Sequence, residues 1–184
     1  FISKGNKNIT NKTIALYLKY LEESFLIEKP KRFDIKGKKY IETPSKYYFV
    51  DIGIRNSLIN FRQIEKTHIM ENIIYTELRR RGFNVDVGIV EKRKIDENGK
   101  KDYKQLEIDF VVNKGSDKYY IQSAYSIEDN NKREQESQSL LNVSDNFKKM
   151  VIVYDSFIKW QDDNGIIYIS IYDFLLNENS LKEA

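Results

Sequence analysis

The sequence contains no cysteine and a single histidine, His68. Disulfides, thiolate metal sites and multi-histidine metal sites are therefore excluded, and histidine catalysis loses its usual residue. No apolar run approaches the roughly 18–20 residues of a membrane helix, so no membrane partner is expected. No signal peptide is visible, and a cytoplasmic location is the default expectation. No phosphate-binding loop of the G-x-x-x-x-G-K-[ST] type occurs, which excludes that route to ATP. There is no internal repeat and no low-complexity tract. The first residue is Phe1 rather than Met, which predicts a fragment of a longer protein.

What is present describes a globular chain. Its 184 residues are 40% hydrophobic, 13% aromatic and 32% charged, enough for one good-sized domain or two small ones. The net charge of +3 is unevenly spread. Residues 1–50 hold 11 Lys/Arg and 5 Asp/Glu, a balance of +6, whereas the other 134 residues hold 20 and 23, a balance of −3. A basic first segment suits nucleic acid or an acidic protein surface, and a solvated lysine-rich surface is the alternative.

The periodicities predict an ordered series of elements. "NITNKTIALYLKYLEESFLIEKP" predicts a helix capped by Thr10 or Asn8, with Ile14, Leu18, Leu21 and Phe25 at helical spacing and Pro30 beyond its end. "EKPKRFDIKGKKYIETPSKYYFVD" predicts strand, turn at Lys36-Gly37-Lys38, and strand. A helix followed by a basic two-stranded ribbon has the outline of the end of a winged helix-turn-helix. "DIGIRNSLIN" (51–60) predicts a short helix or turn joining two units. "HIMENIIYTELRRRGFNVDV" predicts a helix stopped at Gly82, then a strand through Val85, Val87 and Ile89. "EKRKIDENGKKDYKQ" predicts an exposed basic loop or hairpin end. "LEIDFVVNKGSDKYYIQSAYS" (106–126) predicts two strands around a polar turn. A helix is expected across about 131–142, then a buried strand at "KKMVIVYD", and a last strand and short helix in "GIIYISIYDFLLNEN". The expected fold class is α/β (α+β), in two units over 1–50 and 65–184, joined by 51–64. From residue 68 the order helix, three strands, helix, strand is the core order of the restriction-endonuclease-like fold.

Five strings taken together resemble one family: "TIALYLKYLEESFLIEKPKRFDIKGKKY", "KYYFVDIGIRN", "MENIIYTELRRRGFNV", "LEIDFVV" and "YIQSAYSI". In this order they resemble the C-terminal region of a large family of bacterial and archaeal AAA+ ATPases, over about residues 8–176. Members generally carry a P-loop ATPase domain, then a winged helix, then a restriction-endonuclease-like domain. The resemblance implies a partial winged helix over 1–50, an endonuclease-like mixed sheet flanked by helices over 65–184, and an ATPase domain outside this chain. ATP would belong to that upstream domain, a partner within the same protein.

In the nuclease version of this fold a helix Glu, a strand Asp and a Glu-x-Lys act together, the acids holding Mg²⁺. The resemblance places Glu77 as the helix acid and Asp109 as the strand acid, with Glu107 as an extra metal ligand on the face of Asp109. Gln122 falls where the Glu belongs and Ala124 where the Lys belongs. Glu77 has another partner available in Arg80 or Arg81, and Asp109 another role at the solvent face. Losing one preorganised electrostatic group typically costs about 3–4 kcal/mol of transition-state stabilisation. A degenerate nuclease site is therefore expected, unless Lys118 or Lys132 has taken over the lysine role.

Three functions compete. The first is a non-catalytic accessory module binding DNA through Lys12, Lys19, Lys31, Arg32, Lys36, Lys38 and Lys39. The second is an active Mg²⁺-dependent nuclease. The third is a protein-interaction or self-association module, forming homo-oligomers, for which Tyr119, Tyr120 and Tyr125 are the candidate contacts; sheet packing is their ordinary role.

Overall fold

The computed structural model describes residues 10–42, 44–62, 64–95, 101–127, 130–155 and 157–183. The first helix, α1 (Asn11–Glu23), starts where Thr10 Oγ1 accepts the Thr13 N–H, as its sequence predicts. Its apolar stripe stays on the surface, since no α1 residue is buried. After it come β1 (Ile27–Glu28), β2 (Arg32–Asp34), β3 (Lys39–Ile41), β4 (Tyr48–Phe49) and the short α2 (Ile52–Leu58). α2 is capped by Asp51, whose side chain accepts the Ile54 N–H at 3.0 Å.

The larger part follows as α3 (Lys66–Arg80), β5 (Asn84–Ile95), β6 (Lys101–Lys114), β7 (Asp117–Ala124), α4 (Asn130–Leu141), β8 (Lys148–Val153), β9 (Trp160–Gln161), β10 (Ile166–Ser170) and α5 (Ile171–Leu176). α3 ends where Gly82 takes a left-handed φ of +80°, the conformation for which glycine is the usual stop residue. Of the two readings of 91–105, loop or hairpin end, the paired strands agree with the hairpin end, and the strands run further than expected; residues 96–100 lie outside the described residues. β9 was not expected from the sequence.

Eight strands form one mixed sheet in the order β3-β2-β5-β6-β7-β8-β10-β9. β5, β6 and β7 run antiparallel in sequence, and β7 returns through α4 to pair in parallel with β8. One face carries a core of Ile74, Leu78, Phe110, Ile121, Met150 and Ile169 under α3 and α5. The other carries Ile108, Val111, Tyr120, Leu140, Val151 and Tyr168 under α4.

This arrangement corrects the division into units over 1–50 and 65–184. β2 pairs in parallel with β5 through Arg32, Phe33 and Asp34, and β3 forms the sheet's outer edge. Tyr48 is buried in the α3 core. Asn72 on α3 clamps β4 from both sides, accepting the Phe49 N–H at 2.9 Å and donating to the Phe49 carbonyl at 2.7 Å. The first segment joins the sheet because β5 has an open edge and unpaired backbone groups seek partners.

A second departure occurs inside β6. Asp86 faces Val111 while Gly88 faces Ile108, so Val87 stands against two residues, Asp109 and Phe110. This bulge moves Ile108 and Phe110 to opposite cores, whereas strict alternation puts them on one face.

Candidate functional site

The bulge sits where β6 and β7 part company. Their pairing runs from Lys114 and Asp117 to Phe110 and Ile121 and stops there. Asp109 is the next residue, and side chains take over from the ladder. Its Oδ2 accepts the Ser123 N–H at 2.9 Å, and its own N–H donates to Gln122 Oε1 at 3.3 Å. Gln122 Oε1 also accepts from Ser139 Oγ on α4 at 3.3 Å. The freed backbone donors are thereby satisfied without a ladder.

A polar cluster closes over Asp109. Lys46 arrives from the loop between β3 and β4. Its Nζ lies 2.7 Å from Glu71 Oε1, 2.7 Å from Glu107 Oε1 and 3.2 Å from Asp109 Oδ1. Arg32 donates to the other oxygen of Glu107, and the Tyr48 hydroxyl donates to Glu71. Three carboxylates thus face two cations, leaving one negative charge in surplus. Burial, with Glu71 adding to it, pushes the Asp109 carboxyl up to about 7. Burial acts against ionised Lys46, but Asp109 and Glu71 outweigh it and hold the ammonium above the ordinary lysine range. Burial also opposes ionised Glu107, and the contacts of Lys46 and Arg32 overcome it to hold that carboxyl below its usual range. The Tyr48 hydroxyl is raised by burial and then by Glu71.

The residues named from the sequence are distributed unevenly. Asp109 and Glu107 meet in this cluster, and Gln122 bonds to Asp109 from the α4 side. Glu77 belongs elsewhere: it pairs with Arg80 at 2.7 Å and Arg81 at 2.6 Å, and their hydrogen bonds, Arg80 first, outweigh burial to hold its carboxyl low. The α3 acid that meets Asp109 is Glu71. Its signal was readable, because Glu71 shares a helical stripe with Ile74, Tyr75 and Leu78, and a carboxylate on an apolar stripe is out of place. Arg32, expected at a nucleic acid, is only 6% exposed and committed to Glu107. Lys12, Lys31, Lys36, Lys38 and Lys39 are exposed, and so is Lys19, with Glu23 at 3.5 Å.

The lysine of the cluster is neither of those expected. Lys118 lies 3.8 Å from Asp145 and over the rings of Tyr120 and Phe147. Lys132 is exposed on α4. Lys46 had no local signal, since it lies in an irregular loop far along the chain from the acids. Ala124 is 1% exposed in the core under α4 with Leu140 and Val153. His68 is exposed beside Glu65. Tyr119 and Tyr120 are buried on opposite sides of the sheet, and Tyr125 stacks on Tyr154 at 4.9 Å.

Carboxylate oxygens suit Mg²⁺ in kind. Here they converge on an ammonium, and among the described residues no group of three or more His, Cys, Asp or Glu side chains is disposed to hold a metal ion.

Fold and site define a mixed α+β protein, a many-stranded sheet flanked by helices, with a lysine-centred carboxylate cluster where two strands diverge. Residues 2–65 match a domain of unknown function, DUF8612. The chain is 37% identical to an uncharacterized protein of Haemophilus influenzae over 167 residues, 91% of this chain and 38% of that protein. It is 33% identical to an uncharacterized protein of Methanocaldococcus jannaschii over 131 residues, 71% of this chain and 26% of that protein. The chain therefore spans well under two thirds of either relative. No solved structure matches it significantly. Among the described residues no helix is long and apolar enough to cross a membrane.

Proposed function

We propose that this chain is a non-catalytic, nucleic-acid-binding accessory module of a larger AAA+ ATPase. Its frame is restriction-endonuclease-like, with a lysine-bridged salt cluster in place of a metal centre. The observation that carries the reading is Lys46 Nζ within 2.7–3.2 Å of Glu71, Glu107 and Asp109. A metal-dependent nuclease needs such oxygens for its ion, and here an ammonium takes them. The order α3-β5-β6-β7-α4-β8, with its parallel crossover, agrees with the endonuclease-like core order. The exposed Lys36, Lys38 and Lys39 at the β2–β3 hairpin, on the outer edge of the sheet, support contact with phosphates. The greater length of the relatives leaves room for an ATPase domain in the whole protein.

The active-nuclease reading draws on the same lysine, because a relocated ammonium does reach the acids. Charge balance argues against it. Lys46 and Arg32 already neutralise two of the three carboxylates, so a divalent ion has to displace Lys46.

Incubation with single- and double-stranded DNA and RNA in Mg²⁺ and in Mn²⁺ separates the readings. No cleavage is expected. Cleavage that disappears in both Asp109→Ala and Lys46→Ala overturns the proposal in favour of a nuclease. Salt-independent binding, or no binding at low salt, counts against the nucleic-acid role.

A further inference from the structure

β5 and β6 are longer than the sheet needs. β2 covers β5 only at residues 87–89, and β7 covers β6 only at residues 110–114. Beyond Val90 and Leu106 the two strands pair, among the described residues, with each other alone, from Glu91 opposite Gln105 to Ile95 opposite Lys101. Five residues at about 3.4 Å each give an arm of roughly 17 Å. Its root is held at the candidate site, because Glu107 is gripped by Arg32 and Lys46.

Such a ribbon is marginal by itself, since a two-stranded hairpin without a hydrophobic face has little to hold it in water. One pairing makes this worse. Lys92 stands directly opposite Lys104, and like charges placed so across an antiparallel pair destabilise it. Among the side chains of the arm that the structure describes, Lys92 and Lys104 stand against the single acid Glu91. A surplus of cations on an extended arm calls for a polyanion.

We infer that the β5–β6 arm is a binding element for duplex nucleic acid, with Lys92 and Lys104 as phosphate contacts; the inference rests on the nucleic-acid reading above and names the surface that serves it. The shape favours a duplex over an acidic protein. The major groove of B-DNA admits a two-stranded ribbon. The arm lies outside the basic segment 1–50 to which the sequence pointed.

The test is fluorescence anisotropy of a labelled duplex between about 50 and 200 mM salt. It compares the whole chain, Lys92→Ala/Lys104→Ala, the charge-preserving Lys92→Arg/Lys104→Arg, and Lys36→Ala/Lys38→Ala/Lys39→Ala, with circular dichroism to establish that each is folded. The arm alanine variant should lose about 1.8 from the slope of log affinity against log salt, about 0.9 for each contact. The arginine variant should keep the parent slope. Lysines also serve to blunt exposed strands against aggregation, and that role alone leaves binding untouched. An arm alanine variant that binds like the parent while the hairpin variant weakens overturns the arm and leaves the nucleic-acid reading standing. Absence of salt-dependent binding by the parent chain overturns both. Equal binding of polyglutamate and duplex assigns the arm to acidic proteins and overturns it for nucleic acid.

Discussion

Asp109 and Ser123 meet where β6 and β7 separate, the Asp109 carboxylate accepting the Ser123 backbone N–H at 2.9 Å. The same carboxylate lies 3.2 Å from Lys46 Nζ. One buried acid therefore closes the strand junction and completes the salt cluster, and its ionisation is tied to the stability of the whole domain.

That link sets a pH dependence. The Asp109 carboxyl is raised to about 7 in the folded chain, chiefly by burial, and lies near 3.9 when unfolded. Between those values the folded state holds a proton that the unfolded state has lost, so stability falls as pH rises from about 4 to 7 and then levels off. Asp86 and Glu136, also raised by burial, contribute with the same sign. Urea denaturation of parent and Asp109→Asn across this range isolates the Asp109 part. An identical pH slope in the two proteins rules out the assignment.

Lys46→Met should leave Glu71, Glu107 and Asp109 facing Arg32 alone. Breaking a fully buried pair costs about 3–5 kcal/mol. Lys46 retains a quarter of its side-chain exposure, so a loss of about 2–3 kcal/mol is expected at neutral pH, after allowance for solvent screening. The loss should shrink toward acid pH as the carboxylates take protons. Pairing the change with Glu71→Gln should recover part of it. A variant as stable as the parent would show that the cluster holds nothing together.

Restoring the nuclease pattern by Gln122→Glu and Ala124→Lys should not restore cleavage. Ala124 has no room for a lysine, which would bury an ammonium among Leu140, Val143 and Val153. Overpacking alone costs about 1–3 kcal/mol, and an unpaired buried charge adds to it. Thermal melting should place Ala124→Lys well below the parent. An unshifted melting temperature, or cleavage by the double variant, would contradict this packing.

Gly88 faces the bulge from β5. A Cβ there would lie 2.7 Å from Val111 Cγ2, 3.0 Å from Ile108 Cβ and 3.1 Å from Ile35 Cδ1. Gly88→Ala should cost about 1–3 kcal/mol by overpacking and loosen β2 from β5. Denaturation at unchanged midpoint would remove the claim. Hydrogen exchange at Ile35, whose N–H bonds the Ile89 carbonyl at 3.1 Å, reads the loosening directly.

By itself the sequence determined the local elements. The cap at Thr10, the stop at Gly82 and the stripe of Met70, Ile74 and Leu78 each depend on residues within a few positions of one another. The alternation that built β7 and the apolar run of β8 were legible for the same reason. Half of the site could also be read, because Glu107 and Asp109 lie on one strand. Tertiary structure decided the rest. Whether the β2–β3 hairpin formed a separate wing or the sheet's edge depended on the open side of β5, distant in the chain. The bulge at Asp109 interrupted a period of two that the residues alone suggest. Lys46 and Arg32 reached the acids across 25 to 75 positions, and no local pattern encodes such a meeting. It follows from charges being buried only where the fold supplies opposite partners for them.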